Sequence, residues 1–291
     1  MNQERAQRFL RDLPALRDEL PFSPDLLTRL FRLTDADGAA SPEEIAAVIA
    51  RDQGLSTRVL ALANSAFYGL QAEVGSIGRA VTVLGLREVR GIVLALCMRG
   101  LAVNRPLPPD FALTPYFEHQ VAVAVAAMAL ARETGVMHPD DAFTAGVLHD
   151  LGKLLTALCR PEDWTAQEAL CREARLPWHE AEERHWGLDH GLIGAMALGA
   201  WNLPAALTEP VNWHHAPEAA PDRPEPCRLL GLADACVRDL AGDPPPGAAE
   251  AAVLAPGVGL SPGAARDVAA AALAARPPGP LAAALGSCCA P

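Results

Sequence analysis

The stretch Asp140–Leu158, DDAFTAGVLHDLGKLLTAL, sets the class of the fold. Its apolar residues recur at helical spacing, so the sequence predicts one continuous amphipathic helix with His149 and Asp150 inside it. Lys153 follows His149 by four residues, which puts it one turn along the same face. His149 and Asp150, as neighbours, would point roughly 100° apart. Composition agrees with a helical chain: 51% of residues are hydrophobic and only 5% aromatic. Alanine and leucine dominate, and these residues lose little or no rotamer freedom in a helix. Runs of β-branched residues are short and scarce. The expected fold is all-α.

Outward from that stretch, further histidines and carboxylates fall at helix positions in an apolar context. His119 lies in YFEHQVAVAVAAMALARE and His190 opens the helix of LDHGLIGAMALGAW. His214-His215 closes PAALTEPVNWHH, and Asp234 sits in RLLGLADACVRDL. A lone buried histidine is more often a hydrogen-bonded core residue than a ligand, and an isolated His-Asp pair carries no information. Their concentration changes the balance, since five of the eight histidines fall in this set. His138, His179 and His185 read as solvated loop or helix-surface residues. Imidazole and carboxylate without thiolate suit a divalent Fe, Mn, Ni or Zn ion, one or two of them, rather than Ca or a closed zinc finger. The candidate metal ligands are His119, His149, Asp150, His190, His214, His215 and Asp234. His149 would bind one ion while Asp150 bridges to a second, and such a pair could clamp a phosphate ester. Lys153 and Asp150 are the candidate catalytic residues, with Lys153 placed to neutralise a phosphate oxygen.

The chain divides by its punctuation. Ser23-Pro24 precedes DLLTRLFRL, and Ser41-Pro42-Glu43-Glu44 is a capping box with proline at the first helical position. Leu55–Ala63 and Ile77–Leu84 continue the helical pattern, and Gly85 breaks it. Residues 11–100 read as a bundle of roughly five or six short helices. Asn64 through Gly69 reads as a helix C-terminus, with Asn64 bonding the chain locally and Gly69 at positive φ. We therefore expect an N-terminal helical subdomain over 1–102 and a proline-rich connector over 103–115. A helical core over 116–240 and an Ala/Pro/Gly-rich tail over 241–291 complete the chain. In that tail GDPPPGAAEAAVLAPG reads as a flexible link, Ser261-Pro262 starts one helix, and PPGPLAAALGSCCAP is loosely ordered. Asp35-Ala36-Asp37-Gly38 hints at a calcium loop, but no glutamate stands at its twelfth position, so it reads as a solvated turn.

Charge and cysteine usage exclude several function classes. The formal net charge is -11, from 35 acidic and 24 basic residues, with no basic cluster to offset it. Such a surface repels nucleic acid, whose binding rests on neutralised phosphates. The start of the chain lacks the apolar core of a signal peptide, and no apolar stretch is long enough to span a bilayer. Seven cysteines without CxxC pairing fit a reducing cytoplasm, and Cys288-Cys289 reads as part of a frayed tail. No P-loop, Rossmann glycine pattern or Ser-His-Asp nucleophile is present.

The order His119, His149-Asp150, Asp234 resembles the ligand set of the HD superfamily of metal-dependent phosphohydrolases. His190 and His214-His215 match positions used by its HD-GYP branch, which cleaves cyclic di-GMP with two or three metals. The GYP segment is missing, however: the chain continues LLTALCRPEDW after HDLGK. Pro115 also stands where the branch with three metals has a glutamate. The N-terminal half resembles the HDOD family, through LPALRDELPFSPDLLTRLFRL, SPEEIAAVIARDQGLSTRVLALANSAFYGL and SIGRAVTVLGLREVRGIVLAL. Asp52, Asn64-Ser65, Gly69 and Leu84-Gly85 stand at that family's recurring positions. The likeness covers about Leu13 to Leu240. It implies an N-terminal helical bundle packed on an HD-like helical core, in a bacterial-type regulatory protein of signal transduction. Such a protein acts through signalling protein partners or a ligand, with a metal at the HD-type site. The alternative that the likeness implies is a phosphohydrolase acting on a cyclic dinucleotide.

Overall fold

Local chemistry starts the helices where the sequence places them. The computed structural model describes residues 2–14, 29, 30, 33, 41–64, 69, 71–103, 105–242, 247–276 and 278. The segments expected as the first helix after Ser23-Pro24, the Asp35–Gly38 turn and the Cys288-Cys289 tail lie outside these residues, apart from Arg29, Leu30 and Leu33. Helix α1 (Asn2–Asp12) is followed among the described residues by α2 (Pro42–Ile49), α3 (Gln53–Ala63), α4 (Ile77–Leu84) and α5 (Leu86–Val103). The capping box at Ser41 forms: its hydroxyl accepts from Glu44 N, and Glu44 Oε2 accepts from Ser41 N. The Asp52 and Ser76 side chains cap α3 and α4 by accepting from Leu55 N and Arg79 N. Asn64 ends α3, and its amide exchanges two hydrogen bonds with the Val74 backbone (2.8 and 3.0 Å). Gly69 has φ +56° as expected.

The core begins with α6 (Leu113–Thr134), whose buried residues run from Phe117 to Ala131 on nearly every side. A helix apolar all round belongs at the centre of a domain. Helices α7 (Pro139–Leu148), α13 (Pro224–Ala241) and α15 (Pro262–Ala275) pack against it. Around these lie α8 (Leu151–Cys159), α9 (Pro161–Ala174), α10 (Trp178–Trp186), α11 (His190–Ala200) and α12 (Ala205–Trp213). The N-terminal helices join the core through α5 on α7 and α1 on α10, where Phe9 stacks on Trp186 with centroids 5.7 Å apart. One hydrophobic cluster runs from Phe9 and Ile45 through Phe117 and Phe143 to Ala269. No strand occurs among the described residues.

Two expectations need correction. Asp140–Leu158 is not one helix: it breaks at His149-Asp150 into α7 and α8. Asp150 adopts φ -99° and ψ 15°, and its side chain turns to the ammonium of Lys153 at 2.9 Å. Its other oxygen reaches His190 Nε2 at 3.0 Å, a contact with an element forty residues on in the chain. The supposed flexible link also contains α14 (Ala248–Leu254) and a 3-10 turn, Ala255–Val258. Leu254 and Ala251 of α14 are buried against the core, which supplies the order that local composition does not.

Candidate metal centre

Each candidate ligand reaches the site from a helix end or a helix facing it. His149 and Asp150 form the corner between α7 and α8, His190 is the first residue of α11, and His214 closes α12. His119 projects from α6 and Asp234 from α13. Glycine lets these elements approach: a Cβ on Gly152 would lie 2.0 Å from the His190 carbonyl oxygen, and one on Gly231 2.2 Å from that of His214.

All seven candidates come together. His119, His149 and Asp150 present donor atoms within 4.8 Å of one another, and so do His190, His214 and His215. Asp150 spans both groups. Its Oδ2 lies 3.4 Å from His149 Nε2 and 3.7 Å from His119 Nε2, while its Oδ1 lies 3.0 Å from His190 Nε2. His119 Nε2 is 3.1 Å from Asp234 Oδ1, and His215 Nε2 is 3.0 Å from His190 Nε2. Lys153 converges on the same carboxylate, its ammonium 2.9 Å from Asp150 Oδ2.

The outward ring nitrogens are held by the protein. His149 Nδ1 donates to Gly146 O and His214 Nδ1 to Val211 O, both at 2.8 Å. With Nδ1 protonated, a neutral ring carries its lone pair on Nε2. Both Nε2 atoms are buried and without a hydrogen-bond partner. Buried polar atoms are rarely left so, and two inward imidazole lone pairs beside a carboxylate fit a divalent cation. The residues present therefore suit one or two such ions.

Electrostatics keep Asp150, Asp234, His214 and His215 in the form a cation needs. Burial works against charge on Asp150, but His149, Lys153 and His190 hold its carboxyl well below the ordinary range. At Asp234 burial is likewise outweighed, by His119 and Arg238. Burial together with His190 and His149 holds His214 well below the usual imidazole range, and burial with His214 and His190 does the same to His215. His190 moves the other way, to about 9, because Glu182 outweighs burial. Lys153 is raised, as Asp150 and Asp234 outweigh burial.

Sequence reasoning missed several members of the site. Glu182, fully buried, accepts from His190 Nδ1 (2.6 Å), His190 N (2.8 Å) and Trp178 Nε1 (2.8 Å). In the charged stretch HEAEERHW it looks like any solvated glutamate. Arg238 donates to Asp234 Oδ2 at 3.0 Å and also pairs with Glu250. The spacing of Asp234 and Arg238, one helical turn, was the available signal. His179 is not a solvated surface residue: it stacks on His215 (centroids 4.1 Å), and burial with His190 and Lys153 nearby lowers it to about 4. His185 is not solvated either, with Nε2 2.9 Å from Asp163 Oδ1. His138 caps α7 and is half exposed. An opening of ≈ 180 Å³ beside the histidines is lined by Lys153, Trp178, His179, His215, Asp234 and Arg238.

Similar proteins match this architecture. A protein of Shewanella amazonensis SB2B provisionally named a phosphohydrolase has a crystal structure with TM-score 0.71 and 25% identity, covering 96% of this chain and 98% of that one. An HDOD domain protein of Geobacter sulfurreducens gives TM-score 0.71 at 24% identity, over 95% and 96% of the two chains. A provisionally named signal transduction protein of Marinobacter aquaeolei VT8 gives TM-score 0.81 at 20% identity, over 99% of this chain and 67% of that one. Among curated proteins, an uncharacterized protein of Treponema pallidum (strain Nichols) is 26% identical over 231 residues; they are 78% of this chain and only 44% of that longer protein. The sequence model of the HDOD domain matches residues 20–217, more than half of the sequence, and the chain belongs to the HDOD domain family.

Proposed function

We propose that this chain is a regulatory HDOD protein of signal transduction whose His/Asp cluster holds one or two divalent ions of the Fe, Mn, Ni or Zn class. His119, His149, Asp150 and Asp234 would hold one ion and His190, His214 and His215 a second, with Asp150 between them. One observation carries this reading: the buried Nε2 atoms of His149 and His214 are unpartnered while their Nδ1 atoms are fixed by carbonyls. The regulatory part rests on family membership and acts through signalling protein partners. The test is metal content by elemental mass spectrometry on untagged protein, beside a His149→Ala/Asp150→Ala double variant. About one or two equivalents in the wild type and none in the variant are expected. Two proteins that stay metal-free after incubation with these ions would overturn the reading.

A second reading is hydrolysis of a phosphate ester, favoured by the opening in which Lys153 faces the ligand cluster. When bound, the ions supply Lewis acidity toward such an ester. Lys153, beside Asp150 Oδ2, binds a phosphate oxygen and offsets its charge. Trp178 and His179 wall the opening and exclude water from one side. Its ≈ 180 Å³ is below the roughly 300–1,000 Å³ of pockets for drug-sized ligands. One phosphate group enters it, and most of a cyclic dinucleotide would rest outside. Turnover of bis(p-nitrophenyl) phosphate or a cyclic dinucleotide by metal-loaded protein, lost in the double variant, is the expected result. Equal rates in both proteins would dismiss catalysis at this site.

A further inference from the structure

Three of the four buried or near-buried ring histidines at the heart of the cluster have a fixed acceptor for the outward nitrogen: Gly146 O for His149, Val211 O for His214 and Glu182 for His190. His215 does not. Its Nε2 faces His190 Nε2, so Nδ1 points away from the cluster, where it is buried and without a hydrogen bond. The carboxylate it faces is Glu250, whose Oε1 lies 3.9 Å from His215 Nδ1. Glu250 Oε2 is engaged by Arg238, so Oε1 is the oxygen left to accept. Glu250 belongs to α14, beyond residues 20–217 matched by the family, in the segment that composition alone reads as a link.

We propose that Glu250 is a positioning residue of the metal centre, the acceptor that orients His215 through Nδ1 when His215 Nε2 binds an ion. This rests on the metal-binding reading above. An imidazole that binds an ion through Nε2 carries its proton on Nδ1, and that proton needs an acceptor. A closure of roughly 1 Å brings Glu250 Oε1 into hydrogen-bond range. Ala251 and Leu254, buried beside it, hold α14 in place for this contact. Arg238, bonded to both Asp234 and Glu250, links a carboxylate of the cluster to this C-terminal helix. The segment after the family match is thus a working part of the site.

The experiment compares full-length wild type, Glu250→Gln and Glu250→Ala, titrated with Zn²⁺ against a chromophoric chelator. Imidazole nitrogen and proton shifts of His215 are followed by NMR in the same samples. Loss of an outer acceptor weakens metal affinity about 10- to 100-fold. We expect that loss in Glu250→Ala for the ion whose binding shifts the His215 signals, and a smaller one in Glu250→Gln, whose amide oxygen still accepts. The His215 Nδ1 proton, slowly exchanging in zinc-loaded wild type, is expected to exchange fast in Glu250→Ala. Melting of the metal-free proteins checks that each variant folds, and Glu250→Leu, which also lacks an acceptor, serves if the alanine variant does not. Wild-type affinities and an unchanged His215 signal in Glu250→Ala would overturn the proposal while leaving the metal site intact. Absence of zinc binding by wild type would remove the metal-binding reading itself, and this proposal with it.

Discussion

Glu182 shows how much a single buried carboxylate carries. It meets three donors, one of them the ring of a candidate ligand. Replacement by alanine leaves His190 Nδ1, His190 N and Trp178 Nε1 without this acceptor. Breaking a buried charge-assisted set of this kind costs about 3–5 kcal/mol. We expect Glu182→Ala to lose stability of that order in urea unfolding of the metal-free protein. An unchanged midpoint would mean that the network adds little to folding. The residue was hidden in the sequence because burial of a glutamate depends on which helix covers it. His149, Asp150 and Asp234 were legible because they stand in apolar helical stretches where a polar residue needs a reason. His179 was not, since it opens the charged stretch HEAEERHW and its stacking partner His215 lies far along the chain.

Among the elements, the decisive contact is that of α8 with the start of α11. The approach is so close that a methyl group at Gly152 would meet the His190 carbonyl carbon at 2.7 Å as well as its oxygen. Backbone on both sides cannot yield by a side-chain rotation, so the helices must separate. Overpacking of a tight contact costs about 1–3 kcal/mol, occasionally more. Gly152→Ala is expected to lower the thermal midpoint and to weaken metal binding more than an alanine substitution at half-buried Gly78 of α4, where nothing lies within 4 Å of the added Cβ. Calorimetry and zinc titration of the two variants decide this; equal effects would contradict it. The helix break at His149-Asp150 belongs to the same scale. Apolar periodicity continues across it, so the sequence reads as one helix, and only the pairing of Asp150 with Lys153 and His190 shows why the chain turns there.

Across the whole molecule, the centre gathers helices that are distant in sequence: α6, the α7–α8 corner, α11, α12 and α13. An ion bound only by the folded chain stabilises it by mass action, about 4 kcal/mol at a free concentration roughly a thousandfold above Kd. For a chain of this size that is about 10 °C in the thermal midpoint. We expect zinc or manganese to raise the midpoint of wild type by that order, and not that of His149→Ala/Asp150→Ala. A chelator should reverse the rise, and equal shifts in the two proteins would place the bound ion elsewhere. No helix among the described residues is long and apolar enough to cross a membrane.

The helical class, the capping box that starts α2 and the order of histidines and aspartates were determined by the sequence itself. Each depends on spacing or on contacts within a turn or two, which neighbouring residues settle on their own. The break between α7 and α8, the ordering of α14, the burial of Glu182 and the stacking of His179 on His215 were decided only by the tertiary structure. They depend on backbones and side chains that meet across separations of many residues, where local propensity is weak and packing against a shared core prevails.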